Sequence, residues 1–97
     1  MIQELSHVIG GKHIKGTSGR FADAFWPMTG EIASKVPLAS KDEVRFAVEN
    51  AKAAQPAWAA TNPQRRARVM MKFLELANAE YDALATLLAR EHGKTIA

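Results

Sequence analysis

The sequence predicts an α/β chain in which two β-hairpins precede three helices, and three observations lead there. The composition changes at Ser40: Gly, Pro, Thr and Ser punctuate short apolar stretches before it, while Ala, Leu, Glu, Lys and Arg dominate after it. Two glycine-bearing turns divide the first part into paired strands. Apolar residues at three- and four-residue steps mark the second part as helical. With 97 residues, 47% hydrophobic and 24% charged, the chain sits near globular averages. A domain of this size is expected to bury roughly 65% of the surface its unfolded chain exposes.

The first hairpin is expected from His7–Gly10 and Lys12–Lys15 around Gly10-Gly11, because glycine enters the left-handed region without the clash a Cβ would cause. A second pair, Arg20–Trp26 and Glu31–Pro37, is joined by Pro27-Met28-Thr29-Gly30, where proline presets an early turn position. Ile32, Val36 and Leu38 keep one parity, as in a strand with one buried face. Two hairpins alone are marginal in water, so Phe21, Phe25 and Trp26 require a surface to cover.

Ser40-Lys41-Asp42-Glu43 is a capping box, since the serine hydroxyl can accept from the amide three residues on while Glu43 reaches back. A helix over 41–59 follows, with Val44, Ala47, Val48, Ala51, Ala54 and Trp58 on one face. Pro56 is expected to end or kink it near Gln55. Asn62-Pro63 offers a cap and a proline at the first helical position, opening a helix over 63–78 with Ala67, Met70, Phe73, Leu74 and Ala77 as its buried stripe. A third helix over 80–92 buries Leu84, Leu87 and Leu88 and stops at Gly93.

Few residues here can carry chemistry. Cysteine is absent, which excludes disulfides, thiolate zinc sites and a cysteine nucleophile within these residues. Gly93-Lys94-Thr95 imitates the end of a phosphate loop, but Leu88 stands where that loop needs a glycine, and the helix precedes the site instead of following it. Gly93 therefore reads as a left-handed helix cap. Gly11 to Ser18 has two correctly spaced glycines but Thr17 in place of the lysine, and no Gly-x-Gly-x-x-Gly follows a strand. His7, His13 and His92 read as surface histidines, with no carboxylate and nucleophile at a suggestive local spacing.

The net charge of +3 is mild. Arg65, Arg66, Arg68 and Lys72 form one dense basic patch, of which Arg65, Arg68 and Lys72 share a helix face. No aromatic residues interleave there, which disfavours nucleic acid and favours a solvated or interface-paired face. With no apolar run long enough for a signal peptide or membrane span, the expected location is the cytoplasm and no membrane is expected as a partner.

The stretches "HVIGGK", "GTSGRFAD", "TGEIASKVPLAS", "AVENAKAAQPAWAAT", "RRARVMMKFLELANAEYDAL" and "REHGKT" together resemble the N-terminal part of the aldehyde dehydrogenase superfamily. Within it they look most like the CoA-acylating methylmalonate-semialdehyde dehydrogenases. Thr29-Gly30-Glu31, Ala57-Trp58, Arg66 and Glu91-x-Gly93-Lys94 recur in the family's order, whereas Trp26-Pro27-Met28-Thr29-Gly30 replaces its usual Asn-Pro-Ala-Thr-Gly.

The resemblance implies that residues 1–97 form the outer part of a Rossmann-like NAD-binding domain, 1–39 as hairpins and 40–97 as helices, with the catalytic domain absent. It implies NAD and coenzyme A as the parent enzyme's cofactors, none bound by this segment alone. It also implies a cysteine thiolate that attacks the aldehyde, hydride transfer to NAD, and acyl transfer to CoA with loss of carbon dioxide. In the family the cysteine, the activating glutamate and the cofactor glycines lie beyond position 97, so no catalytic, cofactor or metal residue is assigned here. The expected partners are the remainder of the parent enzyme and its subunits, in a homodimer or homotetramer. Other readings are a small interaction protein docking on a full-length relative, and a basic helical nucleic-acid module.

Overall fold

The computed structural model describes residues 1–96. Five strands precede three helices: β1 (Gln3–Glu4), β2 (His7–Ile9), β3 (Lys12–Ile14), β4 (Phe21–Phe25), β5 (Ile32–Pro37), α1 (Lys41–Ala60), α2 (Pro63–Ala79) and α3 (Tyr81–His92). The strands form two separate sheets, an antiparallel β2–β3 hairpin and a three-stranded sheet ordered β1-β5-β4.

Both expected hairpins are present. Gly10 and Gly11 adopt φ of 60° and 74°, which aligns the turn with the twist of its strands and pairs His7 with Ile14 and Ile9 with Lys12. In the second hairpin the Trp26 carbonyl accepts from the Gly30 amide at 2.8 Å, and the Trp26 amide donates to the Glu31 carbonyl at 2.8 Å. Asp23 and Lys35 stand opposite each other in the β4–β5 ladder and pair at 2.9 Å.

Two features depart from the sequence reading. The first is β1, which pairs parallel to β5 through Gln3–Ser34 and Glu4–Lys35 and makes β5 the central strand. The second is a bulge: between Ala24 and Phe25 the partner in β5 moves from Ser34 to Ile32, leaving Ala33 outside the ladder. An extra residue breaks the period of two. The expected single buried face of β5 is thus not realised, and Pro37, on the opposite parity from Val36, is its buried residue.

The helix starts follow their caps. Ser40 and Glu43 complete the capping box, and the Asn62 side chain accepts from the Gln64 amide at 2.8 Å with Pro63 beside it. Of the two effects expected of Pro56, ending the helix is not observed: α1 runs on to Ala60. Its missing amide frees only the Lys52 carbonyl, and residues 51–60 are all solvent-exposed, so water can satisfy that group. Gly93 closes α3 at φ 80°, donating to the Ala89 carbonyl at 2.8 Å. Among the described residues no helix is long and apolar enough to cross a membrane.

The larger correction concerns the core. No hydrophobic residue among those described is fully buried. The expected stripe of α2 is open, with Phe73 65% exposed and Met70 and Leu74 close to it, while only Ala77 is half-buried. Leu84, Leu87 and Leu88 of α3 are likewise exposed. The periodicity predicted the face that should be covered, but nothing among these residues covers it.

Dimensions give the reason. The chain measures 47 × 40 × 16 Å with a radius of gyration of 17.3 Å, against about 13 Å for a compact domain of this length. Its accessible surface of 8299 Å² is about 2,800 Å² more than the roughly 5,500 Å² a compact protein of this mass exposes. The expected 65% burial fails because the elements lie side by side instead of closing on one another. The chain on its own is therefore expected to lose ellipticity gradually on heating and to bind an apolar dye at low temperature. A single sharp calorimetric transition of the monomer would contradict this.

Candidate docking face

The most extensive feature of the surface is apolar. Val44, Val48 and Trp58 of α1, Val69, Met70 and Phe73 of α2, and Leu84 and Leu88 of α3 are all exposed. Monomeric proteins seldom leave apolar patches beyond a few hundred Å², so helices patterned this way mark an interaction surface. Between the three-stranded sheet and α3 lies an open groove of about 390 Å³ lined by Leu5, Phe25, Trp26, Val36, Leu87 and Glu91. Phe25 remains 56% exposed, in keeping with its need for a covering surface.

Arg66 belongs to the same account. The basic patch divides: Arg65, Arg68 and Lys72 are exposed, with Lys72 paired to Glu75 at 3.0 Å, but Arg66 is half-buried and its Nε lacks a hydrogen-bond partner. A guanidinium nitrogen shielded from water and unpaired costs free energy. It is suited to an acceptor supplied from outside these residues.

One polar cluster is complete. Glu43 lies on the first turn of α1 with a side chain 17% exposed. Its Oε1 accepts from the Thr17 amide at 2.7 Å and from the Thr17 hydroxyl, while Oε2 accepts from the Ser40 amide at 3.3 Å. His7 Nε2 stands 3.2 Å from Oε2, within ion-pair range when the imidazole is protonated, but off the line of a hydrogen bond. His7 is thus half-buried against α1, contrary to the surface reading, while His13 and His92 are exposed.

The Thr17 hydroxyl, followed by its amide, holds the Glu43 carboxyl down from an ordinary value of 4.5 to about 2, with Ser40 and His7 adding to the effect against the opposing pull of desolvation. The sequence placed Glu43 in the capping box but could not reveal Thr17, 26 positions away.

Gly93-Lys94-Thr95 follows the carbonyl end of α3, where the helix dipole is negative and a Cβ on Gly93 would stand 3.3 Å from Met28 Sδ, a setting opposite to that of a phosphate loop. Among the described residues no group of three or more His, Asp or Glu could hold a metal ion.

Strands followed by three helices with an open apolar face define an α/β chain whose helical faces are left uncovered. The sequence profile of the aldehyde dehydrogenase family matches residues 13–97, and the chain belongs to that family. A Sinorhizobium meliloti 1021 protein that carries the name methylmalonate-semialdehyde dehydrogenase, solved in complex with NAD, is 59% identical over 99% of this chain with a TM-score of 0.93. The methylmalonate-semialdehyde dehydrogenase of Oceanimonas doudoroffii is 37% identical over 98% of the chain with a TM-score of 0.90. The malonate-semialdehyde dehydrogenase of Pseudomonas aeruginosa is 41% identical over 95% of it. The chain spans only 20%, 19% and 18% of these three proteins.

Because the carboxyl of Glu43 is held down in the folded state, it stabilises that state fully above about 4.5, and the contribution is lost as pH falls toward about 2. Carbon NMR of the Glu43 carboxyl is expected to show a midpoint near 2, and Thr17→Val should move it back toward 4.5 by removing the largest cause. A midpoint near 4.5 in the parent chain would contradict the geometry.

Proposed function

We propose that this chain is the N-terminal scaffold of an NAD-dependent, CoA-acylating methylmalonate- or malonate-semialdehyde dehydrogenase and carries none of the reacting groups itself. The observation that supports this most is the 59% identity, sustained over 99% of the chain, to a structure solved with NAD. The open helical faces agree with such a role. A surplus of about 2,800 Å² of exposed surface exceeds what a standard protein–protein interface buries, and a larger subunit body would account for it.

In this reading the residues bind neither cofactor, since Gly93 is a helix C-cap, Gly11 to Ser18 has Thr17 in place of the phosphate-loop lysine, and no dinucleotide turn follows any strand. NAD would accept hydride and CoA would accept the acyl group at residues outside this segment. What these residues supply is rigidity: β5 carries the sheet, and α1 to α3 present apolar stripes to the body of the subunit. The same reading places the enzyme in the cytoplasm as a homodimer or homotetramer.

The test is a chimera in which this chain replaces the matching fifth of the Sinorhizobium meliloti protein. NADH formation from methylmalonate semialdehyde in the presence of CoA is expected at a rate within about tenfold of the intact relative, while the 97-residue chain alone gives none. Turnover by the chain alone, or a folded chimera without activity, would overturn the proposal.

A further inference from the structure

The β2–β3 hairpin shares no ladder with the three-stranded sheet, so something else must hold it. It lies along the beginning of α1. His7 at its base meets Glu43, and Gly10 at its tip meets the Asn50 side chain, close enough that a Cβ on Gly10 would stand 3.2 Å from it. Seven residues of helix and three of strand each span about 10 Å, so the two contacts are commensurate.

Apolar packing between these ends is loose. An open cavity of about 280 Å³ separates Val8 and Ile9 from Val44, Ala47 and Val48, and Val8 is 66% exposed. The other ion pair leaving the hairpin's flank, Lys15 to Glu4, is 4.0 Å long with both side chains largely exposed, a geometry worth little.

At the base the packing is tight. A Cβ on Gly16 would lie 3.1 Å from His7 Nε2 and 3.1 Å from the Cβ of buried Pro37, so glycine lets the chain leaving β3 pass between them and bring Thr17 onto Glu43. We propose that the Glu43 carboxylate is a clasp joining β2, the chain after β3 and the α1 N-terminus, and that without its charge the hairpin swings off α1 as a unit. The hairpin's own turn and ladder would persist, because neither involves Glu43.

The absence of native cysteine permits a clean test. At low temperature, where the locally capped elements persist, a nitroxide on Ala51→Cys, beside Asn50, should broaden the amide signals of Val8, Ile9 and His13 in the full 97-residue chain. In Glu43→Gln that broadening should be lost, while β4 and β5 amides keep their positions. Thr17→Val, which keeps the backbone amide bond, should give an intermediate loss. Unchanged broadening in Glu43→Gln would overturn the clasp and assign the docking to apolar contact. Collapse of the β4–β5 signals together with the hairpin's would overturn it too, by making Glu43 a support of the whole chain.

Discussion

No apolar side chain among the described residues is shut away from water, so these elements do not enclose a core between them. Helices pack with axes 8–10 Å apart and sheets face their partners at about 10 Å, so a two-layer core needs elements stacked over one another, not merely adjacent. Here the chain lays sheet, hairpin and helices beside each other, and each presents its stripe outward. The exposure of Phe73 and Leu88, the half-buried Arg66 and the open groove beneath Leu87 all follow from this arrangement. They are faces of one incomplete stack.

The elements are specified nonetheless, because their signals are local. A capping box on α1, an asparagine cap on α2 and a left-handed glycine closing α3 satisfy backbone groups within a few residues, whatever lies on the helix's other side. The β2–β3 turn is likewise set by two glycines. Such signals fix where elements begin and end but contribute little cooperativity. Stability of the assembled fold must come from burial, which these residues do not supply to one another.

Legibility from the sequence divides along the same line. Both hairpins, all three helices and the Gly93 cap were readable because their determinants lie within a few positions. The family was readable from the order of short motifs such as Thr29-Gly30-Glu31 and Glu91-x-Gly93-Lys94. What escaped depends on distant partners or on solvent. Gln3 and Glu4 become a strand only because β5 offers a parallel edge. Ala33 leaves the ladder only in the company of Ala24 and Phe25. Pro56 stays inside α1 in a stretch, 51–60, that is exposed throughout, where the freed Lys52 carbonyl is open to solvation. Periodicity identified the stripe of α2, but it carries no information on whether the covering body is at hand.

The polar groups sharpen the contrast between what this chain completes and what it leaves open. Glu43 collects donors from Thr17 and Ser40, with the His7 ring 3.2 Å away, so its charge is satisfied from within. Arg66 has a shielded nitrogen and no acceptor. A folded protein tolerates an unpaired, shielded guanidinium nitrogen poorly, and the usual remedy is a carbonyl or carboxylate brought by another element. Arg66 sits on α2 among residues that also lack apolar cover, so its polar and apolar surroundings are left open together.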